Sequence, residues 1–177
     1  MELADVADDL TEVLLTETQI HDKIAELARR VEQDYAGERP LLVGVLKGAV
    51  MVMADVAREL KMHVDMDFMA VSSYGASTES SGVVRILKDL DADLEGRHVI
   101  IVEDIIDSGL TLAWLRANLE SRGPASLEIL ALLRKPDAAK VDVDVKYFGF
   151  DIPNAFVVGY GLDYAERYRN LRGVAVL

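Results

Sequence analysis

Apolar positions along the chain follow two rhythms, and each change of rhythm marks an element boundary. Ile20, Ile24, Leu27, Val31 and Tyr35 recur every three or four residues, which puts them on one face of an α-helix. Thr16 and Gln19 have capping-box spacing at its start, and Gly37 stands where it should end. The stretch PLLVGVLKG carries an unbroken apolar run, Leu41 to Val45, of a length that suits a buried strand. In AVMVMADVAREL the helical rhythm returns, with Val50, Met53, Val56 and Leu60 as the expected apolar stripe. HVDMDFMAVSSY alternates as a strand does, GASTESSG (75–82) is small and polar like a loop, and VVRIL is placed as a returning hairpin arm.

Farther on, an apolar strand is expected to end at Asp104, followed by a helix from about Gly109 to Ser121 that Gly123 and Pro124 stop. LEILALL reads as a strand, RKPD as a turn, VKYFGF as another strand and AFVVGY as the last. The acidic start has no periodicity, so residues 1–13 are expected to be flexible. Strands alternating with helices predict an α/β fold, a mainly parallel twisted sheet flanked by helices. With no repeat and no linker, residues 1–177 read as one domain. In such sheets small ligands gather beyond the carboxyl ends of the strands. Lys47, Glu103, Asp104, Lys135 and Asp163 all fall at or just after such ends, so the topology predicts that they converge.

Composition narrows the classes. The formal net charge of −12 opposes condensation on a phosphodiester backbone, which argues against nucleic acid as a partner. Without cysteine there is no disulfide framework and no thiolate chemistry. The start lacks the layout of a signal peptide and no apolar run reaches the roughly 20 residues of a membrane span, so the expectation is a cytoplasmic protein without membrane partners.

The segment VIIVEDIIDSGLTL sets an apolar strand against Glu103, Asp104 and Asp107, and then against Ser108, Gly109 and Thr111. Burying adjacent carboxylates is costly unless a cation, a metal or a diol meets them. The small hydroxyl-bearing turn, opening a helix, offers backbone amides to a phosphate. A ligand that is both polyol and anion satisfies both halves. An ordinary helix capped by Asp107 or Ser108 is the plainer alternative. DLDAD lacks the glycine and distal glutamate of a calcium loop, and His21, His63 and His98 have no metal-ligand spacing.

This segment resembles the phosphoribosyl pyrophosphate (PRPP) signature of the type I phosphoribosyltransferases, and within them the hypoxanthine-guanine phosphoribosyltransferases. VLKGA, SSYG, VVRILKDLD, VEDIIDSGLT, LLRKP, GFDIPNAFVVGYGLDY and RYRNL occur in the order found there, from about Leu14 onward. The resemblance implies that fold, with a small hood formed from the chain ends, and a magnesium-dependent transfer that makes IMP or GMP from hypoxanthine or guanine and PRPP. It implies Glu103 and Asp104 at the ribose hydroxyls and their Mg²⁺, with Asp163 as a ligand of a second Mg²⁺. Asp107 would be the base near purine N7, and Asp107, Ser108, Gly109, Leu110 and Thr111 would hold the 5′-phosphate. Lys47, Gly48 and Arg169 match the pyrophosphate contacts, with a non-proline cis peptide in the loop of Lys47. Lys135, Phe156, Val157 and Asp163 match the purine end, and Ser73 and Tyr74 the start of a lid. The same resemblance implies a homodimer or homotetramer. A xanthine-preferring transferase and a PRPP-sensing regulator without catalysis are the rival readings.

Overall fold

The computed structural model describes residues 1–73 and 84–177. A six-stranded sheet lies at its centre, with five strands parallel and one edge strand reversed. Its strands are β2 (Leu41–Leu46), β3 (Asp65–Ser73), β4 (Val84–Lys88), β5 (His98–Ile106), β6 (Ser126–Arg134) and β7 (Tyr147–Asp151), in the order β4-β3-β2-β5-β6-β7. β4 runs antiparallel to β3, as the returning arm was expected to do. β2, β5 and β6 read as continuous apolar runs because both faces are covered. Leu42, Ile100, Val102, Leu130 and Leu132 pack on one side, and Leu41, Val43, Val99, Ile101 and Ile129 on the other.

Helix α1 (Glu17–Asp34) begins at the expected box: Gln19 N–H donates to Thr16 Oγ1 at 3.3 Å, and Thr16 N–H to Gln19 Oε1 at 2.9 Å. Its predicted stripe is the buried one. Helix α2 (Val50–Glu59) packs on the same face of the sheet, but its stripe runs through Ala49, Val52, Met53, Val56 and Leu60. Val50 is exposed, because the helix starts one residue after Ala49 has taken the inward position. Helix α3 (Leu110–Glu120) covers the opposite face with Leu112, Leu115 and Leu119.

A second sheet, of order β1-β9-β8, is built from β1 (Glu12–Leu15), β8 (Val157–Val158) and β9 (Val174–Val176), all antiparallel. It is the hood, and it corrects two expectations. AFVVGY neither joins the main sheet nor forms the last strand; after two residues Gly159 and Gly161 turn the chain at φ +98° and +100°. The acidic start forms a 3₁₀ helix over Leu3–Asp9 and then pairs through β1 with β9. Neither short strand is long enough to display a period.

Candidate active site

β5 runs two residues past the predicted stop, pairing Ile105 with Leu133 and Ile106 with Arg134. Glu103 and Asp104 therefore sit inside the strand end, where burial raises both carboxyls. Glu103 is pushed well above the ordinary range by burial first and by the charge of Asp104 second. Asp104 is pushed up to about 6, mainly by burial, against the opposing pull of its amide contact with Ile105 and the charge of Arg169. Among the described residues neither forms an ion pair. The Ile105 N–H donates to Asp104 Oδ1 at 2.7 Å.

A cavity of about 440 Å³ opens over this pair. Its floor comes from the ends of β2 and β5, with Val45, Leu46, Gly48, Glu103, Asp104 and Ile105, and from Lys135 just beyond β6. The hood supplies the roof, with Phe156, Val157, Leu162, Asp163 and Arg169. Gly48 is wedged in between. A Cβ there would fall 1.8 Å from Asp104 Oδ2, and one on Gly161 would fall 2.0 Å from the Gly48 carbonyl oxygen. Two side-chain-free positions thus let strand end, loop and hood stack without a gap. The Leu46–Lys47 peptide bond in this loop is cis.

A smaller cavity of about 150 Å³ follows the turn from Asp107 to Thr111, and Thr111 lines both. Neither Asp107 nor Ser108 caps α3. The N-cap is Gly109 in the left-handed region at φ +78°, and Leu110 N–H reaches Ser108 Oγ only at 3.4 Å. The left-handed residue turns the chain so sharply that the first-turn amides, which have no partners within the helix, face the turn. Leu110, which opens the helix, belongs to this turn by its backbone.

Lys135 Nζ lies 3.1 Å from Asp107 Oδ2; the lysine side chain is buried and the aspartate half-exposed. A donor and a proton acceptor thus stand side by side at one end of the main cavity. Phe156 is 55% exposed and receives the Tyr164 ring edge-on, with centroids 5.8 Å apart. Val157 is buried in the hood, paired with Val176.

The basic side chains are already engaged. Lys47 does not line the cavity; its Nζ is 2.9 Å from Glu166 Oε2. Arg169 donates to the Gly161 carbonyl at 2.8 Å, and its Nη2 lies 2.9 Å from Asp163 Oδ1 and 3.0 Å from Glu166 Oε1. Convergence of the strand-end residues thus holds for Glu103, Asp104, Lys135 and Asp163, while Lys47 turns aside. Ser73 pairs through its backbone with Val84, and Tyr74 lies outside the described residues, as does GASTESSG. Ile105 and Leu162 were not singled out from the sequence. Both are aliphatic residues inside quoted motifs, and that membership was the one available signal, since periodicity assigns them to the core.

The donor set suits a metal that a ligand brings with it. Among the described residues no group of three or more His, Asp or Glu side chains could hold an ion alone. Two adjacent carboxylates short of positive charge fit Mg²⁺, which takes one or two carboxylates and completes its shell with phosphate oxygens and water.

Comparison with known proteins agrees with this layout. The family model of the phosphoribosyl transferase domain matches residues 12–165. A hypoxanthine-guanine phosphoribosyltransferase of Mycobacterium tuberculosis is 57% identical over 175 residues, covering 96% of this chain and 87% of its own. One from Bacillus subtilis is 51% identical over 169 residues, covering 96% and 94%. The crystal structure of a Staphylococcus aureus hypoxanthine phosphoribosyltransferase superposes with a TM-score of 0.94 at 47% identity, covering 98% of this chain and 94% of that one.

Proposed function

The chain belongs to the phosphoribosyl transferase family, and from that premise we propose that it joins hypoxanthine or guanine to PRPP, giving IMP or GMP and pyrophosphate. One observation carries the reading. A single cavity joins the Glu103–Asp104 pair to the Asp107–Lys135 pair, with the α3 N-terminus alongside.

Each end has its own task. Glu103 and Asp104 accept hydrogen bonds from the ribose hydroxyls, which relieves their burial. The turn from Asp107 to Thr111 binds the 5′-phosphate through backbone amides and the hydroxyls of Ser108 and Thr111. Lys135 has three N–H donors, so it can keep Asp107 in place and still donate to purine O6. Phe156 stacks on the base, and the Val157 backbone meets its edge. Asp107 accepts the N7 proton as the new bond forms, an effect typically worth about 10² to 10⁴ in rate. Glu103 and Asp104 would hold one Mg²⁺ and Asp163, through water, a second; the metal would supply positive charge to offset that of the departing pyrophosphate. Lys47, Gly48 and Arg169 bind that group.

Among the described residues no helix is long and apolar enough to cross a membrane, and we place the enzyme in the cytoplasm, as a homodimer or homotetramer without nucleic-acid partners. The deciding experiment supplies PRPP and Mg²⁺ with each purine in turn. Nucleotide should form from hypoxanthine and guanine and not from adenine, whose 6-amino group offers Lys135 no acceptor. Equal rates with adenine and hypoxanthine would overturn the assignment of Lys135, and a preference for xanthine would favour the rival transferase.

A further inference from the structure

Lys47 follows β2 and Arg169 belongs to the hood, yet both end on one carboxylate. Glu166 gives an oxygen to each: Oε2 to Lys47 Nζ at 2.9 Å and Oε1 to Arg169 Nη2 at 3.0 Å. Its backbone N–H donates to Asp163 Oδ2 at 2.9 Å. One residue thus touches both cations assigned to the pyrophosphate and the carboxylate assigned to a second Mg²⁺. Glu166 also sits in the left-handed region, at φ +63°, next to Ala165 at +49°.

The contacts differ in permanence. The side chains of Lys47 and Glu166 are 66% and 63% exposed, so their pair is cheap to exchange. Arg169 is 25% exposed and keeps Gly161 and Asp163 as partners whatever Glu166 does. Its Nε is buried and has no partner among the described residues. The cation pair therefore has one fixed member and one movable member, spanned by a movable anion.

We propose that Glu166 is a positioning residue that stands in for the pyrophosphate end of PRPP, holding Lys47 toward Arg169 until a diphosphate displaces it. This rests on the reading of Lys47 and Arg169 as pyrophosphate contacts. A diphosphate bears several charges and outcompetes one carboxylate for the same donors. Because Glu166 competes with PRPP and pyrophosphate alike, it weakens both and speeds departure of the product. Glu166 shapes affinity at this end of the site and leaves the purine end alone.

The test is pyrophosphate inhibition, with Mg²⁺ present, of wild type, Glu166→Gln, Glu166→Asp and Lys47→Met. Glu166→Gln should lower the inhibition constant of pyrophosphate and the KM for PRPP by about threefold to tenfold. Its KM for hypoxanthine should stay within about twofold, since the substitution removes only surface ion pairs. Glu166→Asp, which keeps the charge, should lie between. Lys47→Met should weaken pyrophosphate. If Lys47→Met weakens it while Glu166→Gln leaves the constant unchanged or raises it, Glu166 is a structural brace and the stand-in role is wrong, with the pyrophosphate reading intact. If Lys47→Met leaves pyrophosphate inhibition unchanged, the underlying assignment fails, and the stand-in role with it.

Discussion

The two ends of the cavity handle charge in opposite ways. At the end of β5, Glu103 and Asp104 are half-buried carboxylates that form no ion pair among the described residues, and their protons are held more tightly than usual. At the other end, Arg169 on the hood and Lys47 on the loop after β2, beside the cavity, are neutralised by Glu166 and Asp163 before any ligand arrives. The first arrangement is rigid, part of a strand hydrogen-bonded on both sides; the second stands on a loop and a surface turn. A strand end can bear an uncompensated charge because the sheet leaves it no alternative position. A flexible lysine would simply swing away, so it needs an anion to keep it near.

That contrast orders the effects of substitution. The largest belongs to Asp107, on the rigid side: Asp107→Asn should lower kcat by about 10² to 10⁴ while PRPP affinity changes little. Unchanged turnover in steady-state assays would remove the role of base.

Next comes the carboxylate pair. Asp104 titrates at about 6 in the folded protein, against about 3.9 when unfolded, so the folded form binds the extra proton between those values. Stability of the ligand-free protein should therefore fall as pH rises from about 4 through 6, with Glu103 acting in the same direction. Without divalent cation, Glu103→Gln with Asp104→Asn should raise unfolding free energy at neutral pH by something on the order of 3 kcal/mol and abolish PRPP binding. Denaturant unfolding at several pH values checks the sign; a destabilised variant would show that the pair is compensated after all.

A smaller effect is expected at Lys135. Lys135→Met should cut the preference for hypoxanthine over adenine by about tenfold to a hundredfold, the usual consequence of an unmet buried hydrogen bond. The ratio of kcat/KM for the two bases reads it directly. Smallest is the exposed cation after β2: Lys47→Ala should shift the melting temperature by less than about 3 °C, since exposed ion pairs add little. Its KM for PRPP should still rise, so binding weakens as it does for the carboxylate pair but without that pair's change in stability.

The rigid end was also the legible one. β5 and α3 each announce themselves by an apolar run or period, and the carboxylates, glycine and hydroxyls between them have no packing purpose, so the segment stands out. The hood does not. AFVVGY looks like the last strand of the main sheet, and only Gly159 and Gly161 in left-handed geometry divert it into a two-residue strand against β9. β1 and β9 pair residues far apart in the chain, a contact that local patterning does not encode. The helix start at about Gly109 was legible, and the plainer alternative of a cap at Asp107 or Ser108 does not hold, because Gly109 makes the turn and leaves those side chains to the cavity. Ile105 and Leu162 read as ordinary aliphatic side chains, and Glu166 reads as one more acid in an acidic chain until Lys47 and Arg169 are seen on it.

The central claim is that the acidic strand end and the amide-lined turn together bind a magnesium-loaded sugar phosphate. Isothermal titration calorimetry of the protein with PRPP, with and without Mg²⁺, tests it most directly. Saturable heat that requires Mg²⁺, and that vanishes in the Glu103→Gln, Asp104→Asn protein, is the predicted result; no heat with both components present would contradict it.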